Sequence, residues 1–491
     1  MSIVVDVRSS LHLIGAIIKW MSLAYLVPFI VALVNRETIL PFLIPTLASA
    51  LLGFALEHRT RESKEIGVRE GFLVVSLAWL VTAAFGSLPY LIAGEGSVAT
   101  PLNAYFEAMS GFTTTGATVM VDIESHSRSI LIWRGLTQWL GGMGIIVLAL
   151  AVLPKLAVGG RQLMEAEAPG PEIEKLTPRI RETARALWRI YVGLTVLEAI
   201  GLILTGLSPY DAFAHAFTTL STGGFSPQAN SIATFGAATQ WIVIPFMLLG
   251  GMSFALIYRG ITGKSARILL KDSEFRFYLG IVLIAMLILF ANLRFEQYRS
   301  TEVALRHSLF QVSSIMTTTG YASFDFNTWG TVAKTLLLTL MFFGGSAGST
   351  GGSIKIVRAL LVFKFIGREI KRVIHPDAVI TLRLGDRPIG ESVLRGVMAF
   401  TILYVALFAF ATLLIMIDGS RGGNELNLFE GASAVAATLG NVGPGFGVIG
   451  PMSSYAQLSG LSKLILTFCM WAGRLEIFPV FALLTRHYWR S

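Results

Sequence analysis

The chain has 491 residues, 54% of them hydrophobic and only 14% charged, with a net charge of +9. A soluble domain carries about a quarter charged residues, so these proportions exclude an ordinary soluble enzyme or nucleic-acid-binding protein and make the bilayer the solvent. The single cysteine, Cys469, excludes an internal disulfide framework or a cysteine-based zinc site.

Nine stretches are mostly apolar: 11–34, 38–57, 71–93, 129–154, 190–207, 241–258, 277–293, 396–417 and 460–485. Each is near the ~17–25 residues that cross a bilayer as a helix. Barrel strands alternate and run to only ~10 residues, so the chain reads as an all-α polytopic membrane protein. The first stretch is too long for a signal peptide and has no small-residue cleavage site behind it. Basic residues concentrate in alternate polar segments. Segment 57–70 holds Arg59, Arg61, Lys64 and Arg69, segment 155–189 holds seven, and segment 358–395 holds eight. Between them, 208–239 has none and 418–458 has only Arg421. The basic set is therefore cytoplasmic, and both termini are expected on that side.

In chain order, residues 1–69 form a leading helix pair. One unit then occurs four times, over 70–160, 161–262, 263–370 and 371–491, the second and fourth preceded by a cytoplasmic loop. Each unit is an outward helix, a half-length helix, a Ser/Thr/Gly strip and a returning helix. The half-helices are Phe106–Phe112, Asp211–Leu220, Leu305–Met316 and Leu428–Ala437. The strips read TTTGAT, LSTGGF, TTTGYA and ATLGNVG. Aligned on one glycine each, they set Gly116, Gly223, Gly320 and Gly440 in equivalent places, all in the outer half of the membrane. Such strips have little to pack with, but their carbonyls can be aimed. Four around one axis can replace the water shell of a small cation, and glycine enters the φ > 0 conformations that turn successive carbonyls one way.

The returning helices share small residues: GGMG at Gly141, GGMS at Gly250, GGSAGSTGG at Gly344 and AGR at Ala472. The third, FFGGSAGSTGGSIK, is glycine-rich enough to break its helix halfway across. It lacks the Gly-Lys-Ser/Thr ending of a phosphate-binding loop, and no strand precedes it. A polar, movable constriction inside the strips is the better reading.

These motifs together resemble the membrane subunit of the Trk/Ktr/HKT potassium transporter superfamily, of the TrkH/TrkG type. The resemblance covers essentially the whole chain. It rests on SGFTTTGAT, STGGFSP, MTTTGYASFDFNTW, TLGNVGPGFG, the loop GPEIEKLTPRIRETARALWRIY and the break GGSAGSTGGSIK. It implies two N-terminal helices plus four M1–pore loop–M2 repeats in pseudo-fourfold array, taking up K⁺ through one selectivity filter. The implied filter residues are Thr114, Thr115 and Gly116; Thr222 and Gly223; Thr318, Thr319 and Gly320; and Thr438, Leu439, Gly440 and Asn441. The cation would be held by the carbonyls of Thr115, Thr222, Thr319 and Leu439. In plant relatives serine at the first glycine goes with sodium preference, so Gly116 implies K⁺. The implied gating elements are Gly344, Gly345, Ser346, Gly348, Gly351, Gly352 and Lys355, with Arg474 as an electrostatic barrier. The family forms homodimers in the bacterial inner membrane and assembles with a cytosolic TrkA-like ring of RCK/KTN nucleotide-binding domains. No nucleic acid and no enzymatic step are implied.

Several residues carry two readings. Arg474 lies mid-helix, where an arginine costs ~2.5–3.5 kcal/mol on insertion scales. It could pair with Glu476 or a carbonyl of the broken helix, or stand in the ion path. Lys355 could anchor the glycine-rich loop, snorkel or contribute to gating. His215, His307 and Glu107 are the titratable candidates for ion-coupled K⁺/H⁺ or K⁺/Na⁺ symport, while a histidine bonded at a helix–loop junction is the plainer account of the first two. Asp325 and Glu430 could concentrate cations at the outer mouth or be solvated rim charges. Loop 155–189 could dock a cytosolic ring or be a linker, and 358–395 should include a short hairpin-like stretch. A nucleotide-binding enzyme and a broken-helix solute transporter are the competing classes. The latter calls for inverted repeats, whereas the four units here share one orientation.

Overall fold

The computed structural model of the chain describes residues 5–60, 67–151, 176–265, 267–385, 387–422 and 426–490. Val7–Ala24 and Leu26–Asn35 make one span with a turn at Tyr25, and Leu40–Arg59 returns beside it. A Cβ on Gly53 would lie 2.5 Å from the Lys19 amide nitrogen. The two helices thus touch backbone to backbone, the contact small residues permit where lipid supplies no hydrophobic drive. Lys19 and Glu57 pair along the same seam.

Four units follow. Their outer helices are Val68–Ala93, Leu176–Leu204, Ser273–Glu296 and Glu391–Gly422, and each contains a stretch long and apolar enough to cross a membrane. Their outward faces are greasy: Ile284, Ile402 and Phe410 are 62%, 70% and 59% exposed, as expected where lipid tails cover the protein. The chain is a membrane-embedded bundle.

The half-helices are Pro101–Phe112, Pro209–Leu220, Thr301–Met316 and Leu428–Leu439, of 12, 12, 16 and 12 residues. At 1.5 Å per residue these reach ~18–24 Å, short of a ~30 Å hydrocarbon core. Their starts are set locally. Proline opens the first two, the Ser208 hydroxyl accepts from the Asp211 amide, and Asn427 with Glu430 forms a capping box. Inward they are buried, as irregular backbone at membrane depth requires.

The returning helices differ among themselves. Arg128–Ala151 is continuous. The third breaks as expected, between Thr331–Leu340 and Ile356–Ile374. The second and fourth also break, which the sequence reading did not anticipate. Ala237–Gly250 meets Phe254–Thr262 at 99°, and Gly460–Arg474 meets Phe478–Leu484 at 115°. Ser253 caps the new helix in the second. In the fourth, Glu476 and Ile477 both adopt left-handed backbone, at φ 58° and 62°, a conformation a β-branched residue holds only under tertiary constraint.

The expected hairpin is an antiparallel pairing of Arg383–Leu384 with Arg387–Pro388. Of loop 155–189, residues 155–175 lie outside the described residues, and from Leu176 the chain is already outer helix.

Candidate functional site

Each half-helix ends in the same way. The capping residue is Thr113, Ser221, Thr317 or Gly440. The next residue is left-handed: Thr114, Thr222, Thr318 and Asn441, at φ 52°, 53°, 62° and 53°. Two positions on comes a left-handed glycine: Gly116, Gly224, Gly320 and Gly443, at φ 81°, 76°, 79° and 104°. The amide between them bonds back five residues in every strip: Thr115 to Ser110, Gly223 to Thr218, Thr319 to Ser314 and Val442 to Ala437, at 2.7–2.8 Å.

This register corrects two alignments. Gly224 and Gly443, not Gly223 and Gly440, match Gly116 and Gly320. STGGF offers two adjacent glycines, and the handedness of the second decides. In the fourth unit the half-helix runs on through Thr438 and Leu439, so Gly440 is its right-handed cap. Thr438 bonds the Ala434 carbonyl within that helix. The Leu439 carbonyl lies against Gly473, where a Cβ would come within 1.9 Å of it.

The four strips close a ring. A Cβ on Gly116 would lie 2.2 Å from the Gly223 carbonyl oxygen; on Gly224, 1.9 Å from that of Thr319; on Gly320, 2.0 Å from that of Val442; on Gly443, 2.6 Å from that of Thr115. Each glycine therefore abuts the next strip's carbonyl, in chain order and back to the start. The carbonyls so assembled are Thr115, Gly223, Thr319 and Val442, in place of the expected Thr115, Thr222, Thr319 and Leu439. The four left-handed glycines also line one cavity, with Arg134 and Tyr455. Asn441 seals the last joint, donating to the Thr115 hydroxyl at 2.9 Å and to the Met470 carbonyl at 3.0 Å.

Against this ring lies the glycine-rich loop of the third unit. It closes on itself where the Gly344 amide donates to the Ile354 carbonyl (2.9 Å) and the Ile356 amide to Gly345 (3.1 Å). A Cβ on Gly344 would lie 1.9 Å from the Gly352 carbonyl, and one on Gly352 would lie 2.4 Å from that of Gly440. The loop touches three strips: Thr222 Oγ1 donates to Thr350 Oγ1 (3.2 Å), the Gly352 amide donates to Thr318 Oγ1 (2.8 Å), and Gly352 packs on Gly440 and Asn441. The Ser346 amide bonds the Gly251 carbonyl, and the Gly348 carbonyl accepts from the Phe254 amide. Gly345 packs on Ser349 and Gly251, and Gly351 on the Thr317 carbonyl.

Charged side chains fasten the loop. Lys355 Nζ donates to the Gly351 carbonyl, and Glu274 accepts from the Ala347 amide at 2.7 Å. Arg474, 2% exposed, donates to the Thr350 carbonyl (2.7 Å) and the Gly141 carbonyl (3.2 Å). It thus binds the loop to the first returning helix, while Glu476 pairs with Arg358.

The titratable candidates have partners. Glu107 accepts from Arg134 Nε (2.8 Å), the Thr118 hydroxyl and the Val119 amide. His215 is bonded to the Asp211 carbonyl (2.7 Å) and the Ser226 hydroxyl (3.0 Å). His307 bonds Ser323 Oγ at 2.8 Å and stacks on Tyr298. Asp325 caps the turn at Asn327, and Glu430 sits in its capping box. The sequence reading did not single out Arg134, Gln138 or Glu198. The available signal was a polar or charged residue inside an apolar stretch, the pattern that marks function within a membrane.

Comparison with known proteins places these features in company. The family model TrkH, described as a cation transport protein, matches residues 41–488. The Trk system potassium uptake protein TrkH of Salmonella typhimurium is 39% identical over 489 residues, covering 99% of each chain. TrkG of Escherichia coli K12 is 35% identical, also over 99% of each. The crystal structure of the potassium transporter TrkH from Vibrio parahaemolyticus superposes with a TM-score of 0.89 at 36% identity, covering 99% of this chain and 100% of that one.

Proposed function

The chain belongs to the TrkH family of cation transport proteins, and we propose that it takes potassium into the bacterial cell across the inner membrane, through the ring formed by its four strips. One observation carries the reading. Four left-handed glycines each abut the neighbouring strip's carbonyl in cyclic order, which supports a reading in which carbonyl oxygens face one axis, as replacing a K⁺ hydration shell demands. The ion then meets the glycine-rich loop and Arg474, and moves inward down the membrane potential, worth ~2.3 kcal/mol per charge per 100 mV. The loop must shift for passage, breaking its bonds to Arg474, Glu274 and the strips. In this reading the protein works as a homodimer with cytoplasmic termini, and a TrkA-like cytosolic nucleotide-binding ring acts on the loop. The basic cytoplasmic segments support that orientation.

The test is cation flux in proteoliposomes, comparing K⁺, Rb⁺, Na⁺ and Li⁺ for wild type and Gly116→Ser. K⁺ and Rb⁺ passing well ahead of Na⁺, with the margin narrowed by the substitution, is the expected result. Flux indifferent to both cation and glycine would sink the reading.

A second reading, K⁺/H⁺ symport on the same scaffold, has one observation in its favour. Glu198 is fully buried, and among the described residues neither carboxylate oxygen has a partner at hydrogen-bond geometry, although the Thr219 side chain lies beside it. The nearby Thr219 hydroxyl is bonded to the His215 carbonyl. Reversal potentials that shift with pH at fixed K⁺ in wild type, but not in Glu198→Gln, would establish it. Reversal potentials set by K⁺ alone would dispose of it.

A further inference from the structure

We propose that Gln138 is a positioning residue that sets cation selectivity, by holding one of the four ring carbonyls from the flank; this rests on the ring being the selectivity filter. Gln138 lies in the first returning helix, Arg128–Ala151, and is fully buried. Its carboxamide serves the neighbouring unit's strip. Nε2 donates to the Gly223 carbonyl at 2.7 Å, and Oε1 accepts from the Phe225 amide at 3.0 Å. The two partners have opposite polarity, so only one orientation of the amide satisfies both. Together they bracket the left-handed Gly224.

One turn away, Arg134 extends the clamp. Its Nη1 donates to the Ser226 carbonyl at 3.1 Å, and its guanidinium sits 4.1 Å from the centre of the Phe225 ring. Glu107 and Thr118 hold Arg134 in place. The second strip is thus fixed from Gly223 to Ser226 by side chains of the first unit.

The third strip has a comparable clamp set one position further out, where Gln311 Nε2 donates to the Tyr321 carbonyl at 2.9 Å and its Oε1 accepts from the Ser323 amide at 3.3 Å, leaving the ring carbonyl of Thr319 untouched. Among the described residues, no side chain donates to the carbonyls of Thr115, Thr319 or Val442. In the fourth strip the place of Phe225 is taken by Pro444, which has no N–H to offer. The helix positions matching Gln138, three residues before Gly250 and Gly473, are Met247 and Met470. Methionine has no donor. The clamp also explains the second glycine of STGGF. Gly223 is not left-handed, yet a Cβ there would lie 2.3 Å from Gln138 Cδ. It is glycine because Gln138 occupies that space.

The physical effect is on field and stiffness. A carbonyl that already accepts an N–H has less electron density for a cation and less freedom to move toward one. Discrimination between K⁺ and the smaller Na⁺ depends on the number and field strength of carbonyls and on how far they can close in. Freeing the Gly223 carbonyl lets it follow the smaller ion.

The experiment uses the full-length protein in proteoliposomes, measuring K⁺, Rb⁺ and Na⁺ flux together with thermal unfolding, for Gln138→Met, Gln138→Glu and Gly224→Ser. The expected result for both Gln138 variants is a K⁺/Na⁺ ratio about fivefold lower, the factor that one net hydrogen bond of ~1 kcal/mol is worth, with K⁺ flux retained. An unchanged ratio, or K⁺ and Na⁺ flux falling in parallel, overturns the proposal. Should Gln138→Met fail to fold, the isosteric Gln138→Glu decides alone, since it keeps the acceptor for Phe225 and removes the donor to Gly223. Gly224→Ser separates the two levels of the argument. A ratio altered there but not in the Gln138 variants removes the role of Gln138 only, and one altered in neither removes the filter itself.

Discussion

The strips and the returning helices come from the same four units, yet they obey different rules. In the strips, the two left-handed positions and the backbone hydrogen bond between them recur in every unit, and four glycines abut four carbonyls in cyclic order. Among the returning helices one is continuous, two turn by 99° and 115°, and one carries a loop folded against the ring. An ion is a sphere and is best recognised by near-equal donors around it, which favours repetition. A moving barrier needs one unit able to do what its siblings do not, which favours divergence.

The largest expected effect tests the repetition. Gly443→Ala should reduce K⁺ uptake at least tenfold, like Gly116→Ala, because each puts a methyl into a neighbouring carbonyl at left-handed φ. Gly440→Ala would also crowd a carbonyl, that of Ala436 at 2.7 Å, but sits at a right-handed cap of its own helix and faces no neighbouring strip's ring carbonyl, so it should be milder. Uptake in potassium-starved cells ranks the three, and Gly440→Ala proving as damaging as Gly443→Ala would restore the alignment drawn from sequence. Next comes Glu107→Gln. Removing one partner of a buried ion pair costs ~3–5 kcal/mol, so a clear fall in melting temperature is expected, partly recovered in Glu107→Gln with Arg134→Met. A smaller effect probes the divergent unit. Arg474→Gln loses the bonds to Thr350 and Gly141 and should raise resting K⁺ flux several-fold without changing the K⁺/Na⁺ ratio. A changed ratio would mean that loop and ring cannot be treated apart. Smallest is His215→Asn, which should leave uptake within about twofold and its pH profile unmoved.

Much of this was legible in the sequence. Length and hydropathy gave the spans, and the recurring Thr/Gly strips after short apolar segments gave the four units. The register within STGGF and LGNVGPG was not legible, because several glycines compete there and only backbone handedness separates them. The bend at Gly250–Ser253 was hidden as well, and that at Glu476–Ile477 only partly. The first site contains no proline; at the second, Pro479 opens the helix that follows the bend and was a signal in plain view, whereas Ile477 in left-handed backbone contradicts its own preference. Arg134 and Gln138 were visible as polar residues in an apolar helix, but their partners, Glu107 and the second strip, lie 27 and 85 residues away. No local pattern carries that distance.

The joint between the fourth strip and the first has a consequence for biosynthesis. Asn441 reaches Thr115 across 326 residues, and the Thr115 carbonyl meets Gly443 only when the last unit is in place. A ribosome emitting this chain has three-quarters of a ring in the membrane and no closed one. The ring closes only when the fourth unit is inserted, so if the ring is the ion path, as proposed, a nascent chain stalled before that unit offers no continuous carbonyl girdle for an ion to use.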